Sequence, residues 1–130
     1  MAYFFPAGAK EKVPMKQFGL QKLNKIKSKK EFQGVYEKGH SVIDALAVFY
    51  VLPCENETLK IGFAVGKKVG NAVVRNHVKR MMREVFRHHK DEMVLGTRLI
   101  WVARKKLVQA DYKTYERVFL RLAKRAALLR

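Results

Sequence analysis

The sequence predicts an α+β domain in which helices pack against a sheet of about four strands. Apolar residues recur at helical spacing in three separate segments, and branched and aromatic residues are concentrated in short runs between them. The order along the chain is helix, strands, helix, strand, helix. A hydrophobic content of 48% in 130 residues is enough for one core. The central helix lies between two strands and is therefore a candidate for a βαβ unit.

The chain divides into an N-terminal arm and one folded domain. Residues 1–22 mix glycines, prolines and lysines without a hydrophobic period, which indicates a flexible basic arm. The domain is predicted to span residues 23–130. The single cysteine, Cys54, excludes an internal disulfide, and no apolar run approaches the roughly 20 residues that cross a bilayer. The N-terminal stretch is a poor secretory signal, so a cytoplasmic protein is expected.

The first helix is predicted from a capping box. Ser28 and Glu31 have the required spacing, and Gly39 is typical of a helix end. Phe32 and Tyr36 are one turn apart, so their rings share a face. Such rings either pack in the core or stack on unpaired bases, and periodicity alone favours the core.

The strands are predicted from runs of branched and aromatic residues. Residues 41–52 form one long or two consecutive strands, and residues 53–58 form a polar turn. Residues 59–65 are predicted to return as a hairpin partner. The clearest further strand is residues 98–103, in which Trp101 is expected to be a packing residue.

The central helix, predicted over residues 71–89, is strongly basic. Its apolar residues fall on one narrow face, namely Val74, Val78, Met81, Val85 and His89. Its polar residues are predicted on the opposite side, namely Arg75, Asn76, Lys79, Arg80, Arg83 and Arg87. Like charges four residues apart repel one another, and only Glu84 interrupts them. This pattern favours a phosphate-binding surface over a merely solvated face, because solvated faces normally mix signs.

The loop before this helix adds to the basic surface. It contains Lys67 and Lys68 between two glycines and ends at Asn71, a predicted N-cap. Backbone N–H groups at a helix start attract phosphate. The GxxxxGK[ST] spacing of nucleotide hydrolases is absent, so nucleotide hydrolysis has no support.

The last predicted helix is amphipathic. Its buried stripe is expected to comprise Tyr112, Tyr115, Val118, Phe119, Leu122, Ala126 and Leu129. Its cationic residues are expected to face outward, namely Lys113, Arg117, Arg121, Lys124 and Arg125.

The overall charge indicates which class of molecule the chain binds. The chain has 28 Lys and Arg against 11 Asp and Glu, a formal net charge of +17, and a pI of about 10.3. These values are typical of nucleic-acid-binding proteins. A membrane-surface protein would instead need a long amphipathic helix with a bulky apolar face.

The run KKVGNAVVRNHVKRMMRE, residues 67–84, resembles the hallmark of the protein component of bacterial ribonuclease P. The resemblance extends from about Leu23 to about Leu129, and includes the FQxVYxxG pattern that starts at Phe32 and the strand from Arg98 to Lys105. Only the N-terminal arm departs from the family, being longer.

The resemblance implies an αβββαβα fold with a left-handed crossover around the basic helix, although crossovers are usually right-handed. It further implies that the RNA subunit carries the active site and its Mg²⁺, while the protein binds that RNA and the 5′ leader of precursor tRNA. No catalytic or metal-ligating residue, membrane contact or small-molecule substrate is then expected in the protein.

The same resemblance assigns site residues by position. Contacts with the catalytic RNA are expected from Lys67, Lys68, Asn71, Arg75, Asn76, Lys79, Arg80, Arg83 and Arg87. The cleft for the 5′ leader is expected from Phe32, Tyr36 and Tyr50.

Three rival functions remain possible on the residues alone. A ribosomal or RNA-chaperone protein shares the size and charge. A DNA-binding regulator would need two adjacent helices, whereas strands flank the basic helix here. A protein nuclease would need a paired acid and base or a metal cluster, and His88 and His89 beside Asp91 and Glu92 form only a weak one.

Overall fold

The computed structural model describes residues 25–130, so the predicted arm, residues 1–22, lies outside the described residues. The main elements occur in the order α1 (Lys29–Lys38), β1 (His40–Ile43), β2 (Ala47–Pro53), β3 (Leu59–Ala64), α2 (Ala72–His89), β4 (Thr97–Ala103) and α3 (Tyr112–Arg125). Short 3-10 helices span Lys90–Glu92 and Lys105–Gln109. The predicted α+β class and the αβββαβα order are confirmed. Among the described residues, no helix is long and apolar enough to cross a membrane.

The four strands form one mixed sheet in the order β1-β2-β4-β3. The segment predicted as one or two strands is two, and β1 pairs antiparallel with β2. The predicted hairpin between β3 and the preceding strand is wrong, because β4 lies between them, antiparallel to β2 and parallel to β3. The physical reason is the helical connection: a chain that passes through α2 can return parallel to β3, and β4 then takes the edge of β3 that a hairpin with β2 would have used. The parallel pairing makes β3, α2 and β4 the predicted βαβ unit.

The two faces of the sheet carry different layers. Along a strand successive side chains point to opposite faces, so neighbours in the sequence are separated by the sheet. Phe49, Trp101 and Phe119 meet on the face covered by α2 and α3, with Trp101 and Phe119 ring centroids 4.9 Å apart. Ile100 lies on the other face with Val35 of α1. Trp101 is therefore a packing residue, as predicted.

The helix starts follow the sequence closely. The Ser28 hydroxyl accepts a hydrogen bond from the Glu31 N–H at 3.0 Å, which confirms the predicted cap. The reciprocal half of the capping box is not formed, because the Glu31 carboxylate binds Arg98 instead. Gly39 ends α1 as predicted. Glycine is needed there because no side chain fits: a Cβ would lie 2.6 Å from the Val35 and Val51 carbonyl oxygens.

The last helix is shorter than its predicted stripe. Most of that stripe is buried, and Ala123 joins it. The helix ends at Arg125, and Ala127 reverses the chain with a φ of 58°. Leu129, predicted in the helical stripe, instead pairs with Met93 in a short antiparallel bridge.

Candidate nucleic-acid interface

Helix α2 packs a broader face into the core than its sequence predicts. Val78 and Val85 are fully buried, and Val74 and Met81 are partly buried, as predicted. Met82 and Phe86 are also fully buried, which the sequence pattern did not predict. They extend the buried face to one side of Val78, and the face is wide because the helix contacts both the sheet and α3.

The basic residues of α2 lie along its flank. The sequence predicts all of them opposite the core, which is wrong for Arg75, Lys79, Arg83 and Arg87, since these are half-buried. The reason is helical geometry: a step of four residues turns about 40° further around the axis, so a four-residue repeat winds from the core border toward solvent. Asn76 and Arg80 are exposed, as predicted. We call Arg75, Asn76, Lys79, Arg80, Arg83 and Arg87 the α2 flank.

The α2 flank holds unfavourable electrostatics in the free protein. Burial and then the charges of Arg75 and Arg83 hold the pKa of Lys79 below its ordinary value. The Nε–H of Arg75 is buried and has no hydrogen-bond partner among the described residues. A buried donor and a crowded cation both gain from an added anion, so phosphate would relieve this flank.

The flank's last residue differs from the others. Arg87 donates to the Glu84 carboxylate and lies 3.1 Å from His88 Nε2. The hydrogen bond from Arg87 holds the pKa of Glu84 below its ordinary range. Arg87 is thus the most neutralised of the predicted RNA contacts.

The loop before α2 combines exposed cations with the start of a helix. Lys67 and Lys68 are exposed in a turn closed by a 3.0 Å hydrogen bond from the Val69 N–H to the Gly66 carbonyl. The Asn71 side chain accepts from the Val74 N–H at 3.0 Å, which confirms the cap. The first turn of α2 contains no acidic residue to compensate the positive end of the helix dipole.

A shallow groove beside this loop was not predicted. It is lined by Val73, Val74, Asn76, His77, Arg80 and Val108. Val73 is 77% exposed, which places an apolar side chain opposite the core of α2. The helical pattern does mark Val73 as an apolar residue on a polar face, but Val108 comes from a distant 3-10 helix that sequence reasoning missed.

The three predicted cleft residues are in contact on the α1 face of the sheet. Tyr36 and Tyr50 meet edge to face with ring centroids 4.8 Å apart, and Phe32 and Tyr36 are 6.3 Å apart. Tyr36 is 40% exposed, whereas Phe32 is half-buried. Burial and the neighbouring Tyr50 raise the pKa of Tyr36, so the phenol is neutral at physiological pH. We call Phe32, Tyr36 and Tyr50 the aromatic cleft.

Phe32 is held by a glycine of the sheet. A Cβ at Gly62 would lie 2.4 Å from Cζ of Phe32, so the ring rests against bare backbone of β3. Phe32 is consequently the supporting member of the cleft, and Tyr36 the member most accessible to a ligand. Periodicity alone favoured a core role for both rings, and only Phe32 approaches it.

A partly buried ion pair fixes α1 above the sheet. Arg98 is buried, and its Nε–H donates to Glu31 at 3.2 Å while Nη1 reaches the Thr58 hydroxyl at 3.2 Å. The sequence predicts Glu31 only as part of the helix cap and does not predict this pair. The sequence does contain a signal for this pair, because Arg98 is a charged residue at the start of an apolar strand and a buried Arg needs a partner.

The histidines near the end of α2 connect it to α3. His89 donates to Glu116 at 2.6 Å and to Glu92 at 3.1 Å, and His88 Nδ1 lies 2.7 Å from the Tyr112 hydroxyl. Burial lowers the pKa of His89, but the hydrogen bonds to the two carboxylates outweigh it and raise the pKa overall. Within residues 25–130 no cluster of three or more His, Cys, Asp or Glu residues is arranged to hold a metal ion.

The family of the chain follows from its similarity to known proteins. The sequence model of the family described as Ribonuclease P matches residues 20–127. The chain belongs to the ribonuclease P protein family. The ribonuclease P protein component of Alkaliphilus metalliredigens is 36% identical over 110 residues, covering 85% of this chain and 99% of that protein. That of Natranaerobius thermophilus is 40% identical over 104 residues, covering 80% and 90%.

Solved structures of the ribonuclease P family share the fold. The RNase P protein of Staphylococcus aureus superimposes with a TM-score of 0.72 at 34% identity, covering 81% of this chain and 96% of that one. The RNase P protein of Thermotoga maritima gives a TM-score of 0.68 at 30% identity, covering 72% and 89%. The predicted ribonuclease P protein component, with a part in tRNA 5′-end processing, is confirmed. The ribosomal or RNA-chaperone alternative is not favoured.

Proposed function

We propose that this chain acts in the cytoplasm as the protein subunit of ribonuclease P. In this proposal it binds the catalytic RNA through the α2 flank and the preceding loop, and holds the 5′ leader of precursor tRNA in the aromatic cleft. The RNA subunit carries the active site and its Mg²⁺. The protein raises substrate affinity and lowers the Mg²⁺ demand by supplying positive charge.

The observation that carries the proposal is that two chemically different RNA-compatible surfaces lie on opposite faces of one sheet. Helices α2 and α3 cover one face, and α1 with the aromatic cleft lies on the other. A single basic patch would suffice for an RNA chaperone. A subunit that brings a structured RNA and a single-stranded leader together needs two separate surfaces, and this domain provides them.

The α2 flank suits folded RNA. Its cations project from a rigid helix and meet phosphates without reading bases, so binding is governed by counterion release and is strongly salt-dependent. Asn71 contributes by setting the start of α2, where exposed backbone N–H groups add to the anion site.

The aromatic cleft suits an unpaired leader. Rings stack on bases with about 1–3 kcal/mol each and little sequence preference, which fits a segment that varies between precursor tRNAs. A paired stem cannot offer its base faces, so the cleft distinguishes a leader from mature tRNA.

The test is single-turnover cleavage of a precursor tRNA by the cognate ribonuclease P RNA at limiting Mg²⁺, with and without this protein. The proposal predicts stimulated cleavage at the mature 5′ end. Tight RNA binding without stimulation would refute the subunit role and return the ribosomal or chaperone alternative.

A further inference from the structure

Helix α3 carries a second cationic surface that the proposed contacts do not use. Every fourth residue of its outer face is basic, as on α2, and one more lysine lies beside them. All five side chains are exposed, namely Lys113, Arg117, Arg121, Lys124 and Arg125. We call these five residues the α3 stripe.

Carboxylates near the α3 stripe are already engaged. Asp111 caps α3 and accepts from the Thr114 N–H and hydroxyl at 3.0 and 2.7 Å. Glu116 is turned toward His89, away from the outer face. Among residues 25–130, Asp44 is the carboxylate that forms an ion pair with the stripe, through Arg121. A solvated face normally mixes signs, whereas this one sets five cations against Asp44 and the capping Asp111, which interacts electrostatically with Arg117.

All three arginines of the α3 stripe are held in place before any ligand arrives, and Arg117 donates to the Thr114 hydroxyl at 3.2 Å. Arg121 donates Nε–H and Nη2–H to the two Asp44 oxygens at 3.0 and 3.1 Å, and Arg125 donates to the Ile43 carbonyl at 2.8 Å. Arg104 donates to the Asp44 carbonyl at 3.2 Å. A fixed guanidinium loses less side-chain entropy on binding than a free one.

The α3 stripe is connected to the proposed RNA surface of α2 by further cations. Arg104 joins the Asp44 turn to the 3-10 helix Lys105–Gln109, where Lys105 and Lys106 are exposed. The same 3-10 helix reaches the groove of α2 through Val108. Helices α2 and α3 also cover the same face of the sheet, so both surfaces look to the side away from the aromatic cleft.

We propose that the α3 stripe binds the sugar-phosphate backbone of the ribonuclease P RNA subunit, at a segment other than the one on α2. The inference rests on the proposed function. The RNA subunit is the occupant, because the stripe lies on the side of the sheet opposite the leader cleft. Its exposed residues are all cations without a ring, so the contact is to backbone phosphates and carries no base specificity.

The test uses a triple variant, Lys113→Gln, Arg117→Gln and Lys124→Gln. It leaves Arg121 and Arg125 in their structural bonds and removes the exposed bond of Arg117 to Thr114. Gln has nearly the helix propensity of Lys and Arg, so α3 is retained, and thermal unfolding verifies this. The matched control removes the same charge from exposed residues on the other side of the sheet, as Lys27→Gln, Lys30→Gln and Lys38→Gln.

The measurement is the affinity of each full-length protein for the ribonuclease P RNA over a range of salt. Loss of up to three phosphate contacts makes the slope of log K against log salt shallower by about 2 to 3. The α3 variant is expected to show this change and roughly tenfold or greater weakening at physiological salt, and the control to keep nearly the wild-type slope. The complex assembled with the α3 variant is expected to bind precursor tRNA with the same affinity as the wild-type complex.

The other outcomes each overturn a different statement. The salt slopes of the α3 variant and the control could be equal while the wild-type protein still stimulates cleavage. The stripe would then be only solvated, and the proposed function would stand. Weaker precursor-tRNA binding with unchanged assembly would assign the stripe to substrate instead. A wild-type protein that neither binds the RNA nor stimulates cleavage would remove both proposals.

Discussion

The α2 flank and the aromatic cleft, which are the two RNA-binding surfaces of the proposed function, have opposite chemistry. The flank places cations close together, so that Lys79 is crowded by Arg75 and Arg83. The cleft consists of three uncharged rings and is supported by close packing of Phe32 on Gly62. Charge gives affinity that salt weakens, whereas ring stacking is less sensitive to salt and requires unpaired bases. The difference teaches that salt dependence and leader dependence can be changed separately.

The largest effect is expected from Glu31→Ala, which leaves the Arg98 charge buried without its partner. The free energy of unfolding should fall by about 3 kcal/mol, in line with broken buried pairs. Leader binding should weaken because α1 loses its anchor, while the salt slope of RNA binding should stay the same. Denaturant titration and precursor-tRNA binding are the measurements. The control is the double variant Glu31→Leu with Arg98→Met, which should lose much less stability; an equal loss would disprove this role of the pair.

Gly62→Ala should damage the cleft by pushing Phe32 away from β3. Overpacking of this kind costs about 1–3 kcal/mol. Gly34→Ala is the matched control, since a Cβ there meets nothing within 4 Å and the position is helical. The free energy of unfolding of that control should rise by about 0.5–1 kcal/mol. Thermal unfolding of both variants checks the prediction, and a neutral Gly62→Ala would mean that Phe32 is not anchored there.

Tyr36→Ala should remove the most accessible ring. Affinity for precursor tRNA with a long leader should fall by about 1–2 kcal/mol, while affinity for mature tRNA should be unchanged. Tyr36→Phe keeps the ring and should behave almost as the wild type. Competition binding with the two RNAs is the measurement. Equal losses for both RNAs would contradict the cleft assignment.

Arg80→Gln tests the other side of the comparison. Removing one phosphate contact should make the salt slope of RNA-subunit binding shallower by about 1. Preference for a long leader should remain as in the wild type. Arg87→Gln provides an internal contrast, because Arg87 already pairs with Glu84 and its loss should change the slope less. A slope unaffected by Arg80→Gln would argue against the α2 flank as the docking surface.

The smallest effect is expected at His89, which joins α2 to Glu116 of α3. The folded state raises the pKa of His89, so its contribution to stability is complete below about pH 6.5 and is lost as the pH rises through the folded-state pKa. His89→Gln should therefore destabilise by about 1 kcal/mol at pH 6 and by much less at pH 9. Thermal unfolding at the two pH values measures this, and a loss independent of pH would rule out a charged His89.

Local features could be predicted from the sequence because they depend on neighbours in the chain. The caps at Ser28 and Asn71, the basic helix and the buried Trp101 all belong to this class. The pairing of β3 could not be predicted from its own residues, since it depends on β4, which is more than 30 residues away. The Glu31–Arg98 pair could not be predicted for the same reason, since its two residues are far apart in the chain.

The site was predicted less completely than the fold. The members of the α2 flank could be predicted from the sequence. The burial of each side chain depends on how α2 is rotated against the sheet and α3, which no periodicity shows. The unequal roles of Phe32 and Tyr36 likewise depend on Gly62, a residue on another element. The α3 stripe was visible as outward cations, but its connection to α2 required Arg104 and Val108 to be placed in space.

The central position of β4 also has a consequence for how the chain folds. During synthesis β2 and β3 emerge long before Thr97–Ala103, and β3 then has no strand to join in the sheet. The sheet therefore closes late, through contacts between residues far apart in the chain, and such topologies fold slowly. Until then the apolar edges of β2 and β3 stay open to wrong pairing. The high positive charge of the chain keeps such intermediates apart from one another, which favours correct closure.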